Sequence, residues 1–171
     1  MYHIEISAKE LNSSNIKYYK ILPQNLNTYG MQYHVGTNRM HNPEMLGVTV
    51  SSEEGVYEPG LYFATKNFIL CYCHYGEMIA TVKVPDDAKV IYWPGEGDFA
   101  SDALIITQIR PLWDITTLKE LEKEGVTFYE EDMLECMENI KDSEEIKNWL
   151  NERLKRNFIT GGDTDVTDRR K

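Results

Sequence analysis

The side chains best able to bind a ligand or move a proton lie in two stretches of this sequence, "QYHVGTNR" (32–39) and "GLYFATKNFILCYCH" (60–74). His34, in the first stretch, is of the type that titrates near neutral pH and can donate or accept a hydrogen bond. Tyr62 and Tyr72, in the second, have electron-rich ring faces on which a flat or cationic ring can stack. The residues alone leave two interpretations open: the floor of a pocket for a flat aromatic ligand, or an aromatic core between a strand and a helix.

The cysteines and the histidine that end the second stretch are also metal-ligand types. On a helix, however, Cys71 and Cys73 point in different directions, which is unsuitable for one tetrahedral metal site. The set of Cys71, Cys73 and His74 also lacks a fourth ligand at a matching spacing. We therefore expect packing thiols and no metal. Cys71 and Cys73 are also too close together to bridge easily, and with Cys136 they make a sparse, odd set. This pattern predicts reduced thiols and an intracellular protein.

Composition limits the classes of partner. The formal net charge of -10 argues against non-specific binding to a nucleic-acid backbone, which needs clustered lysine and arginine. Residues 111–171 carry 10 basic against 16 acidic side chains, and residues 1–110 carry 8 against 12, so the later part is the more acidic. That excess favours a solvated face, with contact to a basic partner as the alternative. With no apolar run long enough for a membrane span and no signal-peptide pattern in "MYHIEISAKE", we expect a cytoplasmic protein without membrane contact.

The elements that must position these side chains fall into two groups. Residues 1–16 are weakly patterned, and "NSSN" (12–15) is typical of a linker or turn. Segments rich in tyrosine, isoleucine and valine then predict strands at 16–22, 31–36, 60–64, 77–84, 88–93 and 103–109. "KNFILCYCHYG" has apolar residues at helical spacing, and Gly76 is placed to end that helix.

Helices are predicted after Trp113. The segment 114–125 has Asp114 as its cap and Gly125 as its terminator, and helices at 129–140 and 142–157 follow, the last with Asp142 as a capping residue. Residues 159–171 lack a large apolar side chain after Ile159 apart from Val166 and are predicted to be disordered. The sequence thus predicts a strand-rich domain at 1–113, a helical extension at 114–158 and a tail at 159–171.

Taken together, "YHVGTNRMHNPEML" and "EPGLYFATKNFILCYCH" resemble the ADP-ribosyltransferase superfamily, in its poly(ADP-ribose) polymerase-like branch. There, a strand ending in His-Gly-Thr or His-Gly-Ser is followed by a Gly-Ile-Tyr-Phe-Ala strand and a helix that runs into a second tyrosine. The resemblance covers about residues 17–113, and "GLYFA" is its most specific part. It implies an α+β fold with an ADP-ribosyltransferase-like split antiparallel β-sheet core, to which the helical C-terminal extension is added.

The resemblance also implies a site and a substrate, NAD. His34 would hydrogen-bond a ribose hydroxyl, and the Gly36 backbone would hold the carboxamide, with Thr37 also binding the cofactor. Tyr62 and Tyr72 would enclose the nicotinamide ring. Asp102, just before the strand "ALIITQI", is the candidate acid that would steady an oxocarbenium-like transition state. The implied activity is an NAD-dependent ADP-ribosyltransferase or NAD glycohydrolase that acts on an unknown acceptor, with His34, Tyr62 and Asp102 as its triad.

The departures from that pattern keep a second function open. Val35 separates His34 from Gly36, and Asp102 is one methylene shorter than the family's glutamate. The family's helix also carries a serine that binds the carboxamide, and it has no counterpart here. Asp102 is equally suited to be a turn or cap residue. The segment from "NTYGMQYHVGTNR" to "SDALII" also resembles an uncharacterised domain of giant-virus and phage proteins, which comes with no known activity. If the chain is viral, the implied enzyme would be an effector in the host cytoplasm. The alternative to catalysis is an inactive ADP-ribosyltransferase-like module that binds a partner protein.

Overall fold

In a computed structural model of the chain, the structure describes residues 3–53, 55–94, 97–140 and 143–159. The protein is a mixed α+β structure built on a large antiparallel sheet, which is the general fold class that the sequence predicts. The predicted disordered tail lies, apart from Ile159, outside the described residues, as does the predicted capping residue Asp142. The strands are β1 (Ile4–Ser7), β2 (Tyr18–Leu22), β3 (Asn27–Thr28), β4 (Met31–Gln32), β5 (Gly36–Arg39), β6 (Val50–Ser52), β7 (Gly55–Tyr57), β8 (Leu61–Thr65), β9 (Met78–Lys83), β10 (Lys89–Trp93), β11 (Asp98–Ser101) and β12 (Ala103–Pro111). The α-helices are α1 (Ala8–Ser13), α2 (Ile115–Lys123), α3 (Glu130–Asn139) and α4 (Glu144–Ile159), and 3-10 helices cover Pro43–Met45 and Ile69–Tyr75.

The main sheet has eight strands in the order β1-β10-β11-β8-β2-β9-β12-β5, all paired antiparallel. Only Asp102 separates β11 from β12, although these strands stand four places apart in that order. Four steps of a flat sheet cover about 19 Å, whereas one residue spans about 3.5 Å. The sheet must therefore curve strongly, with β11 and β12 forming two arms of one chain segment bent at Asp102.

Two large apolar clusters hold this sheet, one on each of its faces. Strand β2 shows the division: Tyr18 and Leu22 belong to one cluster, and Tyr19 and Ile21 to the other. The first cluster lies within the curve of the sheet and includes the side chains of α1, β8–β12 and the loops between them. The second lies beneath the helices. The predicted helical extension therefore shares a core with the sheet.

The helices after Trp113 form much as the sequence predicts. The Asp114 carboxylate accepts a hydrogen bond from the Thr117 amide and so caps α2, whereas Gly125, at φ +81°, follows the helix end. Leu118 and Leu121 of α2 are fully buried against the sheet, each contributing about 2 kcal/mol of burial free energy. The buried face of α4 carries Ile146, Trp149 and Leu150.

Several predictions for residues 1–113 were wrong. The weakly patterned residues 1–16 form β1, paired with β10, and α1, whose neighbouring "NSSN" is tied down because Asn12 donates to the Val84 carbonyl. The predicted strand 31–36 stops at Gln32, because the buried amide of Asn38 binds both the backbone N–H and the carbonyl of His34 and holds a turn there. Strand β11 was missed altogether.

The prediction of reduced thiols was also wrong, since Cys73 and Cys136 form a disulfide that joins the 3-10 helix Ile69–Tyr75 to α3. Cys71 and Cys73 are near neighbours in the sequence, whereas no local pattern indicates a pairing between residues 63 positions apart. Cys71 keeps its thiol, which donates to the Asp132 carboxylate at 3.4 Å. With a disulfide present, the cysteine pattern no longer supports an intracellular location. None of the described helices is long and apolar enough to cross a membrane.

Candidate functional site

Tyr62 lies on β8, on the face of the sheet that points away from the curve. Its ring stacks on Trp93 of β10, with centroids 5.4 Å apart and planes 16° from parallel, and its hydroxyl donates to the Glu58 carbonyl at 2.7 Å. Trp93 is buried together with Ile91, Ala100 and Leu46. The aromatic ring that stacks on Tyr62 in this structure is therefore one of the protein's own.

Tyr72 approaches the same face from the 3-10 helix. Its hydroxyl donates to the carboxylate of Asp98 on β11. Strands β11 and β8 are paired, with Asp98 opposite Ala64 and, two positions further along, Ala100 opposite Tyr62. Alternate residues of a strand share a face, so the two tyrosines meet one face of β8 about 7 Å apart along it. The structure thus brings Tyr62 and Tyr72 to neighbouring positions, with Trp93 against the first of them.

His34, Gly36 and Thr37 lie at a different place, on the far edge of the sheet. Gly36 pairs with Ile106 and Thr37 with Ile105, whereas β8 is four strands away from β5 in the sheet order. Gly36 has a φ of +108°, which favours glycine, and its carbonyl accepts a hydrogen bond from the Asn38 amide at 3.0 Å. The turn geometry around Asn38 therefore accounts for the glycine, and the His34 side chain is exposed.

Asp102 lies at the bend between β11 and β12. Its carboxylate accepts the Lys89 amide at 2.9 Å, its own amide donates to the Lys89 carbonyl at 3.2 Å, and its carbonyl accepts from Met40. These bonds fasten β10 and the end of β5 to the bend. His34 precedes the opposite end of β5, about 13 Å away along β12, so the structure does not bring His34 and Asp102 together.

Gly60, the first residue of the "GLYFA" motif, is explained by packing. A Cβ built on Gly60 would lie 2.7 Å from the Ala100 Cβ, closer than side chains allow, and 3.3 Å from the Leu46 Cδ1, a tight contact. Gly76, predicted as a helix terminator, has a similar role, because its Cβ would lie 2.2 Å from the Leu22 carbonyl oxygen. Both glycines permit close approach of a neighbouring chain segment.

Lys20 is the polar side chain that the sequence analysis overlooked. It is only 8% exposed and points with Tyr18 and Leu22 into the curve of the sheet. The ladder between strands β2 and β8 contains two residue pairs, Tyr18 with Thr65 and Tyr19 with Ala64. Next along β2, the Lys20 ammonium donates to the Tyr62 carbonyl of β8 at 2.8 Å. It also lies 5.0 Å from the centre of the Tyr33 ring. Burial lowers the pKa of Lys20 from 10.5 to about 8. A lysine in the middle of the apolar segment "YYKIL" was the available signal.

A second polar cluster joins the sheet to α2. The buried Arg110 donates to Glu120 at 3.0 Å and to Glu124 at 3.3 Å, and the Tyr19 hydroxyl donates to Glu124 at 2.6 Å. Burial would raise the pKa of Glu124, but the Tyr19 hydrogen bond and the Arg110 charge outweigh it and hold that pKa below 4.5. The cluster faces the helices and serves to dock them. Among the described residues, no group of histidine, cysteine and carboxylate side chains is placed to hold a metal ion.

Comparison of the chain with models of protein families, with curated proteins and with solved structures found no match. The resemblance to the ADP-ribosyltransferases is thereby neither supported nor refuted, and the assignment of function depends on the geometry above.

Proposed function

We propose that this chain is a binding module for a partner protein and has no catalytic activity, which is the second of the two functions that the sequence leaves open. The observation that carries the proposal is the stack of Tyr62 on Trp93. In the implied enzyme, Tyr62 and Tyr72 would enclose nicotinamide, but here a buried tryptophan of the same chain covers one face of the Tyr62 ring.

The positions of the other candidate residues support the same proposal. A displacement at a ribose carbon needs the ribose-binding group, the stacking group and the acid around one reacting atom. His34 precedes the edge strand, four strands from Tyr62 in the sheet order, and the carboxylate of Asp102 holds the amide of Lys89. A partner-binding surface makes no such demand on geometry.

Nicotinamide release from NAD tests the absence of catalysis, since NAD is the substrate that the resemblance implies. The wild type is compared with Tyr62→Ala and with Asp102→Asn, which keeps an oxygen to accept the Lys89 amide. Tyr29→Ala, at an exposed tyrosine elsewhere in the chain, is the matched control. We expect no release above the rate without protein. Release by the wild type and by Tyr29→Ala that Tyr62→Ala lacks would contradict the proposal and favour the enzyme.

Partner binding is tested by selection on the full chain from a display library of random peptides of about a dozen residues, a length that suits recognition by a groove or sheet. We expect peptides that still bind the wild type when synthesised and measured in solution. A library that yields no such peptide would count against a module of this kind.

A further inference from the structure

The β6–β7 hairpin and the residues at its base expose several apolar side chains to solvent. Val48 is 43% exposed, Tyr57 53% and Tyr62 38%. Val50 is paired directly with Tyr57, so these two side chains share one face of the hairpin. The Tyr62 hydroxyl donates to the carbonyl of Glu58, the residue after Tyr57, which places the end of the Tyr62 side chain at the base of the hairpin. We call Val48, Val50, Tyr57 and Tyr62 the hairpin surface.

The hairpin surface is held in place at its base. The Gly47 amide donates to the Pro59 carbonyl at 3.0 Å, and the Thr49 hydroxyl donates to the Glu58 carboxylate at 3.1 Å. Tyr62 is anchored by its stack on Trp93. An exposed aromatic side chain on a fixed backbone loses little conformational entropy when a partner covers it, which is the usual property of an interface anchor.

The chain segment that contains the hairpin surface carries formal charges of one sign. Residues 40–65 contain four glutamates and neither lysine nor arginine. At physiological ionic strength, exposed charges act over about 8 Å, so the Glu58 carboxylate, held at the base of the hairpin by Thr49, makes the potential over the hairpin surface more negative. The partner that fits is therefore one with positive charge.

A cavity near the base of the hairpin suits a basic side chain. It has a volume of about 330 Å³ and lies between β1, β10 and the Pro43–Met45 turn. Its lining includes the apolar residues Leu46 and Ile91 and the acidic residues Glu5 and Glu44, together with His3 and Lys89. Leu46 also packs in the cluster that contains Trp93, so the cavity and the hairpin surface adjoin. A lysine or arginine could place its aliphatic stem on the apolar walls and its cation near the two carboxylates.

We propose that the hairpin surface and this cavity bind a basic segment of a partner protein, with an apolar side chain of the segment on Tyr57 and a lysine or arginine in the cavity. The proposal rests on the proposed partner-binding function and names the surface that performs it. Docking of an apolar anchor beside a cation pocket supplies both affinity and selection for charge.

The test uses the peptides selected on the full wild-type chain, with binding followed by fluorescence anisotropy. We expect the selected peptides to be enriched in lysine or arginine beside an aromatic or branched residue. Tyr57→Thr, which keeps the β-propensity of the strand, should weaken their binding at least about tenfold. Glu44→Gln should weaken it about threefold, with less effect at high salt.

Val56→Thr is the matched control, because Val56 is 70% exposed on the same hairpin but, as the neighbour of Tyr57, faces the opposite side. Its binding should equal that of the wild type. Peptides without an excess of basic residues, or equal binding by Tyr57→Thr and the wild type, would overturn the proposal while leaving a partner-binding function at another surface. A selection that returns no peptide at all would overturn both.

Discussion

Replacing Lys20 by methionine should change how the stability of the protein depends on pH. In the wild type, burial lowers the pKa of Lys20 to about 8, against 10.5 in an exposed lysine. Between these two values the unfolded chain binds more protons than the folded one, so the free energy of unfolding rises with pH. Below pH 8 the folded state bears the full cost of a buried ammonium, and that cost is removed as the pH rises towards 10.5.

The size of the effect follows from the two pKa values. Between pH 7 and pH 9.5 the free energy of unfolding of the wild type should rise by about 2 kcal/mol through Lys20 alone. Lys20→Met has no titrating group at this position and lacks that rise. At pH 7 the variant loses the hydrogen bond to the Tyr62 carbonyl and gains relief from the buried charge, two effects of similar size and opposite sign.

Urea unfolding of the wild type and of Lys20→Met, each at pH 7 and at pH 9.5, shows how much more the free energy of unfolding rises with pH in the wild type than in the variant. Titration of other groups largely cancels between the two proteins, and Tyr33 stays protonated at both pH values because burial raises its pKa. Lys83→Met, at an exposed position on the neighbouring β9, controls for the loss of a lysine. A wild-type-minus-variant difference that is the same at both pH values would refute the buried position of the Lys20 ammonium.

Three further predictions concern stability. Tyr29, which is 98% exposed and has a φ of +50°, forms the turn of the β3–β4 hairpin together with Gly30. Tyr29→Asn should raise the free energy of unfolding by about 1 kcal/mol, because asparagine adopts positive φ more readily. Lower stability of the variant in urea unfolding would contradict this. Reduction of the disulfide, or the Cys73→Ser/Cys136→Ser double replacement, should lower the free energy of unfolding by roughly 4 kcal/mol, because the bridge closes a loop of 63 residues. Thermal unfolding with and without reductant measures this, and equal midpoints would argue against the bridge. Glu124→Gln should lower the free energy of unfolding by roughly 2 kcal/mol at pH 7, because it deprives the buried Arg110 of a carboxylate. This loss of stability relative to the wild type should shrink as the pH falls from 4.5 through the lowered pKa of Glu124. A loss of stability that does not vary with pH would refute the linkage.

Much of the fold could be predicted because local patterns decide it. The strands containing Tyr18, Leu61 and Val90 and the helix capped by Asp114 each have an apolar period and a boundary residue that identify them. Strand β1 escaped prediction because its stability comes from pairing with β10, which no local pattern encodes. The disulfide escaped for the same reason, since it depends on the packing of α3.

The candidate site was harder to predict because it depends on which strands become neighbours. The sequence places His34 and Tyr62 28 positions apart, and only the sheet order reveals that four strand steps separate their strands. The partner of Tyr62 was equally inaccessible: Trp93 reaches it across β11, through two ladders whose register the sequence does not specify. Lys20, in contrast, was visible as a charge within an apolar strand.

The most direct test of the account follows the indole N–H signal of Trp93 in a proton–nitrogen NMR spectrum while NAD is added to the full chain. Trp93→Phe identifies the signal among those of the three tryptophans. Because Tyr62 already stacks on Trp93, the account predicts no change in that signal up to millimolar NAD. A saturable shift of the Trp93 signal, absent in Tyr62→Ala, would contradict the account and show that nicotinamide enters beside Tyr62.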